Sequence, residues 1–163
     1  MLTIRNVNDE DLPVLIHIEN QCFTEEEAAT EEAFKQRIQQ IPDSFFVAEK
    51  NSEVAGYING PVIQTRYITD DLFTNIIKNP THGHHQSILG LAVSPKFQRE
   101  GVARALLQHL DKEASAKSRE TITLTCKGNL ISFYEKHGYV NEGVSDSTHG
   151  GVVWYNMSKM IKK

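Results

Sequence analysis

Ser87-Ile-Leu-Gly-Leu-Ala-Val-Ser-Pro-Lys-Phe-Gln-Arg-Glu-Gly-Val-Ala-Arg-Ala-Leu-Leu-Gln-His-Leu110 is the stretch whose reading decides the fold. The apolar run from Ile88 to Val93 stops at Ser94-Pro95, and a polar loop follows. From Val102 onward apolar residues recur at 102, 103, 106, 107, 110 and 114, which is one face of a helix. The stretch therefore reads as strand, loop, helix, with Gly101 closing the loop. Amides at a helix N-terminus point at whatever lies in front of them, and the helix dipole favours negative charge there. A phosphate site is the expectation.

Outward from that stretch, 163 residues predict a single domain, residues 1–163, with room for a sizeable core. Lys and Arg total 17 against 21 Asp and Glu, a formal charge of −4 with no basic run, which argues against a nucleic-acid partner. An anionic ligand must be held locally. The start, Met1-Leu2-Thr3-Ile4-Arg5, lacks the pattern of a signal peptide, and no apolar run approaches the ~18 residues of a membrane span. These features predict a cytoplasmic protein without a membrane partner, monomeric or homodimeric. Cys22 and Cys126 are too few for a disulfide framework and form no metal-type pair, so buried thiols and no metal site are expected. His82, His84 and His85 read as a solvated loop with no carboxylate or Cys at ligand spacing.

In chain order, Leu2–Val7 reads as a strand, and Asn8 as the cap of a helix with Leu12, Leu15, Ile16 and Ile18 on its apolar face. An acidic loop around Glu25, Glu26 and Glu27 leads to a second helix begun by Thr30 and stopped at Pro42-Asp43. Ser44–Glu49 and Glu53–Ile63 form a hairpin with a bulge expected at Gly60, and Asp70–Lys78 reads as a short helix. Thr121–Thr125 alternates as a strand, Leu130–His137 is helical up to the C-cap Gly138, and Tyr139–Gly143 and Val152–Met157 close the chain as strands. This order, βααββαβαβαββ, gives a mixed α/β sheet with helices on both faces.

Gln98-Arg-Glu-Gly-Val-Ala103, placed straight after a buried strand, and the segment Phe133-Tyr-Glu-Lys-His-Gly-Tyr139 together resemble the GNAT superfamily of acyl-CoA-dependent N-acetyltransferases. The element order resembles it over nearly the whole chain. The resemblance implies a mostly antiparallel central sheet of about seven strands with helices on both faces, and acetyl-CoA as co-substrate. In the superfamily the pattern Gln/Arg-x-x-Gly-x-Gly/Ala presents backbone amides to the pyrophosphate, and Gln98, Gly101 and Ala103 fill it. The cofactor segment is then Gln98, Arg99, Glu100, Gly101, Val102, Ala103 and Arg104, with Arg99 and Arg104 either adding charge or standing as solvated surface. Leu91, Ala92 and Val93 would pair their backbone with the pantetheine arm, and one amide there would hold the developing oxyanion. Tyr134 matches the tyrosine that protonates the departing thiolate, a role that suits a phenol still protonated at neutral pH.

Within the superfamily the chain looks most like the arylalkylamine N-acetyltransferases, which acetylate serotonin-like amines. Cys22-Phe23 with the acidic segment after it, Leu91-Ala92-Val93 with Phe97-Gln98, and Cys126 eight residues before Tyr134 carry that likeness. It implies an acceptor site including Phe23, Glu26 and Ser87. The animal enzymes relay the substrate's proton through two histidines ahead of Leu-Ala-Val, whereas here those positions hold Ser87 and Leu89. The base then falls to His84, His85 or the Glu25–Glu27 loop. Many members also carry an asparagine seven residues ahead of the tyrosine, where this chain has Lys127, so that role does not pass to Asn129. The expected function is acetyl transfer from acetyl-CoA to a small primary amine, arylalkylamine- or polyamine-like, by direct attack. The alternatives are a peptide or protein N-acetyltransferase and a non-catalytic acyl-CoA-binding module.

Overall fold

β-Branched alternation makes Thr121–Cys126 a strand, and the remaining strands assemble outward from it and from the Phe45–Asn59 hairpin. The computed structural model describes residues 1–73, 76–147 and 151–161. Along the chain these form β1 (Leu2–Asn6), α1 (Leu12–Cys22), α2 (Glu31–Gln40), β2 (Phe45–Lys50), β3 (Glu53–Asn59), β4 (Val62–Ile63), β5 (His85–Ile88), β6 (Gly90–Val93), α3 (Val102–Ala116), β7 (Thr121–Cys126), α4 (Ile131–Lys136), β8 (Val140–Val144) and β9 (Tyr155–Met160). The strands lie in two sheets, β1-β2-β3-β6 and β4-β5-β7-β9-β8, and every neighbouring pair is antiparallel except β5 and β7.

The nine strands are the expected seven with two of them broken. Glu53–Ile63 breaks at Gly60, where a Cβ would stand 2.1 Å from the Ser87 carbonyl oxygen, so only glycine lets the backbones pass. Ile88–Val93 breaks at Leu89, whose N–H leaves the strand ladder to donate to the Asn59 carbonyl at 2.8 Å. Upstream of that break the chain pairs with β7, and downstream it pairs only with β3. The two sheets part there, and the site lies in the gap.

Side-chain alternation on β2 builds a core on each face. Phe46 and Ala48 pack with Ile58, Ile122, Leu124 and the Val102, Leu106, Leu107 and Leu110 face of α3. Phe45 and Val47 pack with Tyr57 and with Leu15, Ile18, Phe34 and Ile38 of α1 and α2. Each fully buried Val, Leu, Ile or Phe among them contributes about 1.5–3 kcal/mol. Capping follows the sequence: the Thr30 hydroxyl accepts from the Ala33 amide at 3.1 Å, and the Asn8 side chain accepts from the Glu10 amide at 3.1 Å. Arg5 grips Asp11 with two bonds of 2.8 Å, fixing β1 against the approach to α1.

Two expected elements differ. The helix expected over Asp70–Lys78 is only a 3-10 turn, Asp70–Phe73, with residues 74–75 outside the described residues and 76–80 irregular. Asn79 explains the irregular part: its side chain accepts from the Val62 amide at 2.7 Å and donates to Ser44 Oγ at 2.8 Å, pinning an extended segment along β4. The last strand begins at Tyr155 rather than Val152, because the Trp154 carbonyl accepts from the Ser145 amide at 2.8 Å to close the preceding loop. Among the described residues no helix is long and apolar enough to cross a membrane, and no cluster of three His, Cys, Asp or Glu side chains is placed to hold a metal ion.

Candidate active site

A cavity of about 110 Å³ opens where β6 leaves β7. Ile88, Leu89, Gly90 and Leu91 form one wall, and Leu124 to Lys127 form the other. Leu130, from the 3-10 turn ahead of α4, and Tyr134 of α4 close it on one side, Glu19 and Phe23 from α1 and its end, Glu27 from the next loop, and Ser147 and Trp154 from the β8–β9 connection. The lining is apolar apart from a few side chains, as expected of a site that orients a small ligand by a few polar groups.

Tyr134 is buried and held edge-on by Phe133 and Tyr139, with ring centroids 5.0 and 5.7 Å away. Burial pushes its phenol well above the ordinary tyrosine value, and the neighbouring Cys126 adds to the rise. Burial likewise pushes the Cys126 thiol up to about 11. Cys22 donates to the Val93 carbonyl at 3.3 Å, and burial raises its thiol as well. Neither cysteine is a thiolate at neutral pH, so neither is poised as a nucleophile.

Glu19 is the carboxylate the sequence reading missed. It is 6% exposed, one oxygen accepts the Ala29 N–H at 2.8 Å, and the other accepts the Tyr57 hydroxyl. Burial and the Glu19 charge hold the Tyr57 phenol far above its usual value, so Tyr57 stays a donor. Arg37, 1% exposed, donates to Asn59 Oδ1 at 3.2 Å. Burial lowers its pKa and the nearby Glu19 charge opposes that fall. The clue was present in the sequence: Glu19 lies four residues beyond Leu15, on the apolar stripe of its helix. Lys127 and Trp154 were also missed. The Lys127 ammonium pairs with the Glu27 carboxylate at 2.7 Å across the cavity mouth.

Two expected acceptor residues are corrected. Ser87 is fully buried, and its hydroxyl donates to the Pro61 carbonyl at 2.5 Å rather than lining the cavity. Its neighbour Leu89 does line it, because the break at Leu89 separates two residues that a continuous strand would put on one face. Glu26 is exposed, whereas the turn closed by the Glu27 and Ala28 amides on the Thr24 carbonyl turns Glu27 inward. Phe23 lines the cavity. His85 pairs with Thr121 at the start of β7, a strand's length from Cys126, and its Nδ1 lies 2.7 Å from Thr121 Oγ1. It stands apart from the cavity, and His84 faces a different hollow beside β4.

The loop ahead of α3 takes an unusual backbone path. Arg99 and Gly101 both have left-handed φ, 65° and 81°, and Gly101 caps the helix. Consecutive turns of this kind make an amide nest at a helix N-terminus, a receptacle for an anion. Only backbone is offered by some members: Val102 is buried in the core, and the exposed Glu100 side chain pairs with Lys50. Gln98 is exposed, its amide 3.4 Å from the Val93 carbonyl, Ala103 is half-buried, and Arg99 and Arg104 are exposed. Leu91 and Val93 are half-buried, and Ala92 packs into the α1–α2 core.

A sequence profile described as an acetyltransferase (GNAT) domain matches residues 8–161. The chain belongs to the GNAT acetyltransferase family. An acetyltransferase of Sodalis glossinidius is 30% identical over 108 residues, 64% of this chain and 63% of that protein. The chain spans about 63% of the length of the first curated relatives it matches. The ribosomal protein bS18-alanine N-acetyltransferase of Escherichia coli is 25% identical over 144 residues, covering 85% of this chain and 81% of that one. Among solved structures, GphF, a GNAT-like decarboxylase in complex with isobutyryl-CoA, superposes with a TM-score of 0.81 at 14% identity, covering 98% of this chain and all of that one. The GNAT fold is thus the fold of this chain, and the gap between β6 and β7 is a feature of its architecture.

Proposed function

We propose that this GNAT protein transfers an acetyl group from acetyl-CoA to a small primary amine, arylalkylamine- or polyamine-like, by direct attack in a ternary complex. The observation that carries the reading is one small apolar cavity lined by both Tyr134 and Glu19. The ammonium of the amine gives a proton to Glu19 and becomes a nucleophile. Its nitrogen then bonds to the thioester carbonyl carbon, and backbone amides of the parted β6 strand stabilise the charge on the oxygen. The carbon–sulfur bond breaks, Tyr134 donates its proton to the leaving sulfur, and the second proton shed by the newly acylated nitrogen restores the phenol. The products are an N-acetyl amine and free CoA as its thiol, with the proton held by Glu19 returned to solvent. Burial holds Cys126 and Cys22 as thiols, and Cys22 does not line the cavity, so direct attack is favoured over an acyl-cysteine route.

The nest at Arg99–Ala103 is the proposed pyrophosphate site. Gly101→Ala, which forces a side chain into left-handed φ, is expected to cost about 1 kcal/mol of stability by denaturant unfolding. It also raises the KM for acetyl-CoA severalfold, with kcat nearly unchanged, in steady-state assays.

A second reading is favoured by the name of the E. coli relative: a peptide or protein N-terminus as acceptor. The deciding experiment measures CoA release from acetyl-CoA with phenethylamine, tryptamine, diamines and a peptide with N-terminal alanine. Turnover on the amines and not on the peptide supports the small-amine reading. Turnover on the peptide alone overturns it, and CoA binding without turnover on any acceptor marks a binding module.

A further inference from the structure

Among the described residues, three charged side chains line the cavity: Glu19, Glu27 and Lys127. Glu27 carries a side chain only 7% exposed, and the Lys127 ammonium sits 2.7 Å from it, with 38% of the Lys127 side chain exposed. Lys127 reaches this point from the end of β7, and the Glu27 loop reaches it from the opposite side, after α1. Arg37 is packed behind Gly90 and Asn59 and does not line the cavity. The described lining residues thus include two carboxylates and one ammonium, and the carboxylate that Lys127 does not pair with is that of Glu19.

Resting on the small-amine reading, we infer that Lys127 selects the charge of the acceptor, because its ammonium occupies the place beside Glu27 that the second ammonium of a diamine would take. A monoamine brings one positive charge, and Glu19 receives it. A diamine brings two, and its second must lose its hydration while Glu27 already holds a cation, so the exchange gains nothing. Phe23, Leu89, Leu91, Leu130 and Trp154 line the same space and favour an apolar tail over a second charge. The acceptor class is therefore a monoamine with an apolar body, and Lys127 is a specificity-determining residue.

The test is calorimetric titration of the CoA-bound protein with phenethylamine and with 1,4-diaminobutane, after the CoA affinity of each variant is known. Wild type binds phenethylamine more tightly. Lys127→Met moves the ratio of the two dissociation constants toward the diamine by on the order of tenfold, Lys127→Arg keeps the wild-type ratio, and Lys127→Met with Glu27→Gln removes the gain. A ratio within about twofold of wild type in Lys127→Met, a gain that survives Glu27→Gln, or no binding of either amine overturns the inference. Because binding is read without turnover, failure of acetyl transfer with a shifted ratio would sink the proposed reaction and leave the role of Lys127 standing.

Discussion

Tyr134→Phe is expected to lower kcat for amine acetylation by about 100-fold or more, while the dissociation constant for acetyl-CoA stays within about twofold. The substitution removes one oxygen from a buried ring whose packing on Phe133 and Tyr139 is otherwise intact, so the fold and the cavity walls persist. What is lost is the donor for the leaving sulfur, a group whose value appears only as the carbon–sulfur bond breaks. Such an interaction lowers kcat without weakening ground-state binding. The raised pKa of Tyr134 adds a second expectation. The phenol remains protonated throughout the neutral and mildly alkaline range, so the wild-type rate shows no alkaline decline from this group below about pH 10. Steady-state kinetics against pH, with CoA affinity by calorimetry, check both. A Tyr134→Phe enzyme with unchanged kcat would remove the tyrosine from the chemistry.

Expectation and structure agree best where a local pattern suffices to place a residue. The face Val102, Leu106, Leu107 and Leu110 is set by the helical period alone, and Gly101 ends the loop ahead of that helix where the sequence places it; its left-handed φ is seen only in the structure. Tyr134 needed the family resemblance to be singled out, because a buried tyrosine and a proton donor look alike in one sequence. Ser87 was misplaced for a different reason. Its expected direction follows from pleat alternation, and alternation fails across the break at Leu89, which is produced by contacts with Asn59 from another strand. Glu26 and Glu27 are adjacent in an acidic run, and only the turn on Thr24 separates the exposed side chain from the inward one. Glu19 was legible as a charge on an apolar stripe. Its partner Tyr57 is 38 residues away and its neighbour Arg37 lies on the next helix, so the network itself exists only in the fold.

Glu19→Gln is expected to have the other large effect, and one that depends on the acceptor. An amine of pKa about 10 is neutral in only about one molecule in a thousand at pH 7. A positioned base recovers part of that penalty, so the variant should lose about 100-fold in kcat/KM with phenethylamine. An acceptor already neutral at the assay pH, such as an aromatic amine, has no proton to give, and its loss should stay within about fivefold. The two acceptors separate chemistry from architecture, because a misshapen cavity would penalise both. Architecture does change somewhat. Glutamine can accept one of the two bonds now made by Tyr57 and Ala29, and it removes the negative charge facing the buried Arg37. A loss of about 1–3 kcal/mol follows from disturbing such a network, seen as a melting temperature lower by several degrees. The kinetic signature is independent of that loss. In the variant, the rate with phenethylamine should climb close to tenfold per pH unit toward the amine's own pKa, since free neutral amine becomes the reactant. Equal losses for both acceptors, or a rate that ignores pH in this way, would leave Glu19 a structural carboxylate and return the search for the base to the Glu27 side of the cavity.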